Sequence, residues 1–270
     1  MPERGFVKLK KRLDVVLVEK ELVSSREKAR AIIMSGNVFV DGLSETKPGL
    51  FVSESAVIDI KSSEKFCSRG GYKLDKAIKC FGIDISGAVA ADIGASTGGF
   101  TDCMLQYGAS KVYSIDVGYG QIAWELRNNP RVKVIERTNA RYLTSEHIPE
   151  RIDFFAIDVS FISVKLIIPV ILKFCNDIFK GVILIKPQFE IGKGQVGKRG
   201  VVSDPQKHIQ VLNDVFFFLT ELPLSVTGLT YSPIKGPNGN IEFLLMVENK
   251  VKDIHIKLED VVDEAHLVLK

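Results

Sequence analysis

The sequence of 270 residues has little of what marks membrane or secreted proteins. Its most apolar stretches, residues 166–172 and 182–185, are far shorter than the roughly 20 residues that a transmembrane helix needs. The opening segment MPERGFVKLKKR carries charge but has neither the apolar region nor the cleavage site of a signal peptide. We therefore expect a soluble, cytoplasmic protein that does not act at a membrane.

Cysteine is also scarce. The four cysteines are far apart, with no C-x-x-C pattern and no nearby pair of histidines: Cys67, Cys80, Cys103 and Cys175. Zinc sites and disulfide frameworks both depend on closely patterned ligands. We expect reduced thiols and no metal site.

The composition is that of a globular protein with an uneven charge distribution. Hydrophobic residues make up 46% and charged residues 26%, which excludes fibrous, collagen-like and low-complexity classes. The first 80 residues hold 16 Lys and Arg against 11 Asp and Glu, leaving 20 against 22 for the rest. A small basic module therefore precedes a larger, slightly acidic one, and its charge suggests a polyanionic partner.

The basic module has the pattern of two short helices followed by strands. Leu13, Val16 and Leu17 share one helical face, and a capping-box pattern from Ser24 to Glu27 precedes a second helix that Gly36 would end. The segments NVFV, GLFV and AVIDI then read as strands. We predict a small α+β domain over residues 1–60 and a linker over residues 61–67.

The second helix carries three basic residues between its apolar positions. Arg26, Lys28 and Arg30 should therefore face either water or an RNA phosphate backbone. Charge alone does not choose between a solvated face and RNA binding.

Residues 68–270 alternate strand-like and helical segments, which predicts a mostly parallel α/β sheet covered on both faces. VTGLTYSPI and IEFLLMV, joined by the turn residues GPNGN, predict a final antiparallel hairpin at the sheet edge. The tail predicts a docked helix with one apolar stripe, formed by Ile254, Leu258, Val261, Val262, Ala265, Val268 and Leu269.

A glycine-rich loop follows the first predicted strand of this domain, in the segment ADIGASTGGFTD. Glycines at the end of a strand let a ligand approach the backbone closely, but Gly94, Gly98 and Gly99 do not have the G-x-G-x-x-G spacing of dinucleotide sites. Asp92 would repel a pyrophosphate and favour a cationic cofactor. S-adenosylmethionine, with its ammonium and sulfonium groups, therefore suits the loop better than NAD. The alternative is an ordinary tight turn in which Asp92 caps a helix.

Two further polar residues follow the next strands. Asp116 comes after the second strand, where it is placed to accept hydrogen bonds from ribose hydroxyls. Asn139 in ERTNARYL could bond an adenine edge, although a turn residue is the simpler interpretation.

A lysine and a carboxylate stand at the carboxyl ends of later strands, Asp158 in FFAIDVS and Lys186 in VILIKPQ. These strand ends line the crevice of open α/β sheets, where such a pair could act on a hydroxyl as base or guide. Lys73 and Glu242 complete the set. A lysine that reaches to the surface and an aspartate that caps a helix are the structural alternative.

The segments SRGGYKL, ADIGASTGGFTD, AIDVSFIS, LIKPQFE and GNIEFL occur in order and together resemble the hemolysin A-like family of ribosomal RNA 2′-O-methyltransferases. That family shares the catalytic layout of FtsJ-type RNA methyltransferases, and the basic module resembles the α-L RNA-binding domain of a small-subunit ribosomal protein. The resemblance implies a Rossmann-like methyltransferase domain and the catalytic tetrad Lys73, Asp158, Lys186 and Glu242.

The resemblance also implies S-adenosylmethionine at the loop and downstream acids, and a cytidine in ribosomal RNA or ribosomal subunits as acceptor. The implied cofactor residues are Asp92, Gly94, Ser96, Thr97, Gly98, Gly99, Asp116 and Asn139. In the tetrad, Lys186 would hold the 2′-oxygen and take its proton, Asp158 would hold Lys186, and Lys73 with Glu242 would position the ribose.

The glycine-rich loop over residues 188–204 contains Lys193, Lys198 and Arg199. We expect it to be mobile and to clamp RNA phosphate, with a plain surface loop as the alternative. For the whole chain, the rival functions are a membrane-active hemolysin, a noncatalytic ribosome-binding module and an NAD-dependent oxidoreductase.

Overall fold

The computed structural model describes residues 10–60, 65–192, 194–249 and 256–269. The chain divides into two compact units, Met1–Glu64 and Lys65–Lys270. The boundary between the units falls within the predicted linker over residues 61–67, and the last residues of that segment bond to the second unit. Gln106 Nε2 donates to the Lys65 carbonyl (2.8 Å), and the Cys67 amide donates to the Asp102 carboxylate (2.8 Å). Residues 61–64 lie outside the described residues.

The first unit contains the two predicted short helices and a set of three-residue strands. In chain order these are β1 (Lys10–Arg12), α1 (Leu13–Glu19), α2 (Arg26–Met34), β2 (Val38–Val40), β3 (Leu43–Glu45), β4 (Phe51–Ser53) and β5 (Ile58–Ile60). β2 pairs antiparallel with β3 and β5, and β1 pairs antiparallel with β4. Apolar residues of both helices and of the strands form its core.

The cap of α2 lies one residue later than the sequence pattern suggested. Ser25 has an extended backbone (φ −157°, ψ 159°) and its side chain accepts from the Lys28 amide at 3.3 Å. Ser24 is therefore outside the cap, and Glu27 falls in the first turn. Only Ser24 has a glutamate three residues later, but an N-cap needs only a side-chain oxygen that reaches a free amide, and the backbone turn gives that position to the adjacent Ser25.

The second unit is built on a seven-stranded sheet in the order β11, β12, β10, β9, β6, β7, β8. The strands are β6 (Val89–Ile93), β7 (Lys111–Ile115), β8 (Val132–Ile135), β9 (Ile152–Ile157), β10 (Cys175–Ile185), β11 (Ser225–Tyr231) and β12 (Phe243–Glu248). β6 to β10 run parallel, whereas β12 is antiparallel to both β10 and β11. The predicted mostly parallel sheet with a final antiparallel hairpin is thus confirmed.

Helices cover both faces of the sheet: α3 (Gly70–Phe81), α4 (Gly99–Gln106), α5 (Trp124–Arg127), α6 (Ile168–Ile171), α7 (Pro187–Glu190), α8 (Pro205–Thr220) and α9 (Leu258–Val268). Successive strand residues point to opposite faces, so Phe154 packs with α3 and α4 while Phe155 packs with α6 and α8. The carboxyl-terminal halves of β9 and β10 can therefore be continuously apolar, as residues 154–157 and 181–185 are.

Two helices of the second unit, α9 and α5, differ in length. The C-terminal helix forms as α9, whose buried residues Leu258, Val262 and Ala265 join the core beside α8. Ile254, assigned to the same stripe, lies outside the described residues. The segment QIAWELRNN forms only the short α5. Among the described residues, none of the helices combines the length and apolar character needed to cross a bilayer.

The strand order places a crevice at the carboxyl ends of β6 and β9. The chain adds β7 and β8 on one side of β6, and then returns to place β9 on the other side. Loops that leave β6 and β9 consequently diverge, which is the arrangement that opens ligand sites in α/β sheets. The predicted loop after β6 and Asp158 after β9 both lie there.

Candidate active site

The loop that follows β6 lies directly against the end of β9. Gly94 has a left-handed backbone (φ 88°), and a Cβ atom on it would collide with the Asp158 carbonyl group. The Asp158 amide in turn donates to the Ile93 carbonyl at 2.9 Å. Glycine is therefore required at residue 94, because both the backbone conformation and the close strand contact exclude a side chain.

Asp92 bonds to the first turn of α4. Its side chain is fully buried, and one oxygen accepts from the Thr101 amide (2.9 Å) and hydroxyl (2.6 Å) in the first turn of α4. Burial raises its pKa to about 7. The carboxylate lies beneath the loop and lines neither cleft described below, and its other oxygen, Oδ1, has no hydrogen-bond partner among the described residues, so its part in cofactor binding stays a prediction. The helix-capping alternative describes its contacts better.

An acidic cleft of about 490 Å³ opens beyond the ends of β6, β7 and β9. Its lining includes Gly94, Ser96, Asp116, Asn139 and Asp158, together with apolar residues such as Ile115 and Val117. Among the described residues that line this acidic cleft, none is a lysine or arginine. Thr97 and Gly98, although predicted as cofactor residues, belong to neither lining and lie on the far side of the loop, where the Thr97 carbonyl accepts from the Ala123 amide.

Asp116 is held with its carboxylate at the cleft wall. Its two oxygens accept from the Ser96 amide (2.8 Å) and the Gly118 amide (2.6 Å). Each carboxylate oxygen can accept more than one hydrogen bond, so ribose hydroxyls can still bind. Asn139 caps a short 3₁₀ turn through the Arg141 amide (3.0 Å), which leaves its amide nitrogen for a base edge.

The acidic cleft fits S-adenosylmethionine better than a dinucleotide. Carboxylates favour the ammonium and sulfonium groups, whereas a pyrophosphate would meet negative charge without a basic partner. Asp116 and Asn139 would hold the ribose and adenine of the cofactor, with Ile115 and Val117 as apolar walls.

A basic cleft of about 410 Å³ adjoins the acidic cleft. Arg69, Lys73 and Lys235 line it, and it shares Gly94, Ser96 and Asp158 with its neighbour. The two clefts therefore meet at Asp158. An anionic acceptor in the basic cleft would reach a cationic cofactor in the acidic cleft at this junction.

The four predicted tetrad residues come together here as two ion pairs. Lys186 Nζ lies 2.6 Å from Asp158 Oδ1, and Lys73 Nζ lies 2.6 Å from Glu242 Oε2. Lys73 belongs to α3, and Glu242 is the residue before β12. Asp158 and Lys186 directly follow β9 and β10. Ile185 of β10 pairs with Phe243 of the antiparallel strand β12. The residues just beyond this pair, Lys186 and Glu242, therefore lie at the same edge of the sheet.

Glu242 is the most buried member of the tetrad, with no exposed surface. Burial raises its pKa, and the nearby ammonium groups of Lys73 and Lys186 oppose that shift. Oε1 has no hydrogen-bond partner among the described residues. Gly236 of the loop after β11 lies against this carboxylate, since a Cβ there would collide with Oε1. The glycine lets the loop close over the tetrad.

Several residues at this edge of the sheet lie within the sequence motifs but were not predicted as site residues. Lys186 Nζ also donates to Ser160 Oγ at 2.8 Å. Phe161 is 91% exposed with a left-handed backbone (φ 64°), and its ring lies 5.0 Å from that of Phe189. Glu190 accepts from the Ser163 hydroxyl (2.6 Å) and, with its other oxygen, from the Val164 amide. The signal was available, since AIDVSFIS and LIKPQFE contain all of these residues apart from the valine that follows the first motif.

The predicted RNA-binding residues are partly engaged within the protein. In the first unit, Arg26 and Arg30 bond to the buried carboxylate of Asp14 (2.9 and 3.4 Å), while Lys28 is exposed. Arg26 and Arg30 are nevertheless about half exposed, so a role in RNA binding stays a prediction for all three. Their bonds to Asp14 could not be read from the pattern of α2, because Asp14 belongs to the neighbouring helix.

Three basic residues were predicted to bind RNA in the loop over residues 188–204, and the structure describes the side chain of one of them. Arg199 is exposed, with a left-handed backbone (φ 62°). Lys193 and the side chain of Lys198 lie outside the described residues.

Comparison with known proteins agrees with the two units. The FtsJ-like methyltransferase family matches residues 66–249, and the S4 domain matches residues 11–58. The 16S/23S rRNA (cytidine-2'-O)-methyltransferase TlyA of Mycobacterium tuberculosis is 43% identical over 94% of this chain and 96% of its own. Hemolysin A of Brachyspira hyodysenteriae is 42% identical over 86% of this chain and 98% of its own.

A solved structure from Streptococcus thermophilus, described as a hemolysin candidate, superimposes with a TM-score of 0.74 at 39% identity. It covers 97% of this chain and 98% of its own. The resemblance drawn from the motifs is therefore confirmed, together with the methyltransferase activity and the S-adenosylmethionine cofactor that it implies. The chain belongs to the FtsJ-like methyltransferase family and carries an S4 domain in front of the methyltransferase domain.

Proposed function

We propose that this chain transfers a methyl group from S-adenosylmethionine to a ribose 2′-hydroxyl of ribosomal RNA, with a cytidine as the acceptor. The observation that carries the proposal is the position of the Lys186–Asp158 ion pair at the junction of the acidic and basic clefts. A cationic donor and a polyanionic acceptor need such a junction, because each requires surroundings of opposite charge.

The acidic cleft would hold the cofactor through Asp116, Asn139 and the backbone around Gly94. When bound, S-adenosylmethionine supplies a methyl group that is activated by the positive sulfur. The protein has to bring a ribose oxygen in line with that methyl group, which is a task of orientation.

Lys186 would act on the acceptor hydroxyl. Asp158 and Ser160 accept from its Nζ at 2.6 and 2.8 Å, which fixes the side chain although a lysine has several free torsions. As an ammonium, Lys186 would steer the 2′-oxygen with the N–H group that Asp158 and Ser160 leave free. To act as base it would first release one proton to solvent, and Nζ would then accept the hydroxyl proton as the new C–O bond forms and the methyl–sulfur bond of the donor breaks to leave a neutral thioether.

Lys73 and Glu242 would position the ribose from the other side. Their ion pair is almost wholly buried, and Lys73 lines the basic cleft. Oε1 of Glu242 lies beneath Gly236 and lines neither cleft, so Glu242 would act on the ribose through Lys73, which it holds, and not by direct contact.

The nature of the acceptor is supported by the basic cleft, by the S4 domain and by the names of the relatives. Arg69, Lys73 and Lys235 suit a phosphate backbone. The relative from M. tuberculosis is named for a ribosomal cytidine, and 43% identity over nearly the whole chain favours the same acceptor. We accordingly propose ribosomal RNA or ribosomal subunits in the cytoplasm as the partner.

A lytic activity has less structural support. The amphipathic C-terminal helix α9 packs its apolar side into the core of the second unit. A helix that lies on a membrane needs that side free.

Incubation with labelled S-adenosylmethionine and purified ribosomal RNA or subunits tests the proposal. We expect label in RNA, at a nucleotide that becomes resistant to alkaline cleavage because its 2′-oxygen is methylated. Matched oligonucleotides with cytidine or 2′-deoxycytidine at the mapped position are the control, since only the former has the acceptor. Transfer to the deoxy oligonucleotide, or binding of NAD without affinity for S-adenosylmethionine, contradicts the proposal.

A further inference from the structure

The first unit contains a buried aspartate that is surrounded by three arginines. Asp14 is in the first turn of α1 and has no exposed surface. Arg12, which precedes α1, donates to it from Nε (3.0 Å) and Nη2 (3.1 Å). Arg26 and Arg30, one turn apart on α2, donate to the same oxygen, Oδ2, at 2.9 and 3.4 Å.

The three arginines remain half-exposed while their partner does not. The side chains of Arg12, Arg26 and Arg30 are 41%, 53% and 54% exposed. A guanidinium has more N–H groups than these contacts use, so each keeps donors that face solvent. Three positive charges also outweigh one carboxylate. The group, here termed the arginine platform, is therefore basic at its surface and anchored from below.

Anchoring matters because arginine is flexible. Ordering a long side chain on binding costs conformational entropy and so weakens affinity. Here arginine side chains from α2 and from the residue before α1 converge on the Asp14 carboxylate. The backbone of Asp14 is itself held in place, because its amide donates to the Pro48 carbonyl (3.1 Å). The guanidinium groups are thus ordered before any ligand arrives, and their planar forks suit phosphate oxygens.

We propose that Asp14 is a positioning residue for RNA binding: it holds Arg12, Arg26 and Arg30 as a preformed phosphate-binding surface of the S4 domain. The inference rests on the proposed function only in taking ribosomal RNA as the ligand.

The proposal and a simple count of charges predict opposite changes in RNA affinity when Asp14 is replaced. Replacing Asp14 by Asn removes a negative charge from a basic module, so long-range attraction to RNA should grow. A positioning role requires the reverse, because an amide is a weaker acceptor for three guanidinium groups and leaves them free to move. The two effects are therefore separable by the sign of the change.

The experiment measures the affinity of the full-length chain for a fluorescent transcript of small-subunit ribosomal RNA at fixed salt. Asp14→Asn is compared with Asp59→Asn, which makes the same charge change at an exposed position of β5 in the same unit. We expect about fivefold to tenfold weaker binding for Asp14→Asn. Asp59→Asn should bind as well as wild type or more tightly. Equal or tighter binding by a folded Asp14→Asn variant overturns the proposal.

Circular dichroism during thermal unfolding establishes that the first unit is folded. If Asp14→Asn does not fold, Arg26→Lys decides, because it keeps the charge but loses the fork. Weaker binding by Arg26→Lys supports the platform, and unchanged binding refutes it. Methyl transfer by wild type is measured in parallel. If methyl transfer fails while the expected changes in RNA affinity are seen, the proposed function alone is rejected. If transfer is normal but the variants bind RNA as wild type does, the arginine platform alone is rejected.

Discussion

Glu190 offers a sharp test of how the catalytic edge is held in place. Its carboxylate accepts from Ser163 (2.6 Å) and Val164 (2.9 Å), and so clamps the segment that carries Ser160 and Phe161 to the short helix that follows Lys186. Since Ser160 is bonded to Lys186 and Phe161 has a left-handed backbone, this segment is both strained and close to the proposed chemistry.

The expected magnitude follows from the bonds that the clamp makes. Glu190→Ala leaves two donors without an acceptor, at a cost of about 1–3 kcal/mol. The left-handed backbone of Phe161 stores strain of a similar size, about 1–3 kcal/mol. Loss of the clamp should therefore let the segment relax and displace Ser160. We expect kcat for methyl transfer to fall about tenfold to hundredfold, with little change in affinity for S-adenosylmethionine.

Glu190→Gln is the matched control for this prediction. Its amide oxygen can still accept from the Val164 amide, and its nitrogen can donate to the Ser163 hydroxyl, so kcat should be largely restored. Steady-state kinetics and calorimetric titration of the cofactor provide the readouts. If Glu190→Ala keeps wild-type kcat, or if Glu190→Gln is as impaired as Glu190→Ala, hydrogen-bonded positioning by Glu190 is refuted.

Three further predictions concern residues of the same edge. Lys186→Ala should lower methyl transfer about a hundredfold or more and leave cofactor affinity nearly unchanged, so wild-type turnover by this variant removes Lys186 from the mechanism. Gly236→Ala places a Cβ against Glu242 and should disturb its pair with Lys73, so kcat should fall at unchanged cofactor affinity; unchanged kcat would show that the loop yields. Burial raises the pKa of Asp92 from 3.8 to about 7, so the folded state holds its proton more tightly and wild type should lose stability as pH rises between those values. Urea unfolding at pH 5 and pH 8 should show that Asp92→Asn lacks this part of the slope, and identical slopes contradict the assignment.

Much of the fold follows from local pattern. Alternation of apolar strands and amphipathic segments was enough to predict a parallel sheet, because the part of a strand that is buried on both faces must be apolar, as residues 154–157 of β9 and 181–185 of β10 are. The final hairpin and α9 were equally readable, since turn residues and a helical stripe are local features.

The candidate site could be predicted as a set of residues but not as a geometry. The ends of parallel strands meet at one edge, which is why Asp158 and Lys186 were expected to lie together. Which carboxylate pairs with which lysine depends on side chains that are far apart in sequence, and Lys73 pairs with Glu242 across 169 positions.

By itself, the sequence determined which chemical groups this protein carries and at which strand ends they stand, because both depend on residue identity and short-range periodicity. Only the tertiary structure decided where each charge points. Asp92 turns inward to hold α4, and Asp14 reaches from one helix to bind two arginines of the next. The physical reason is that the direction of a polar side chain is set by the partners that packing brings within hydrogen-bond distance, and those partners are remote along the chain.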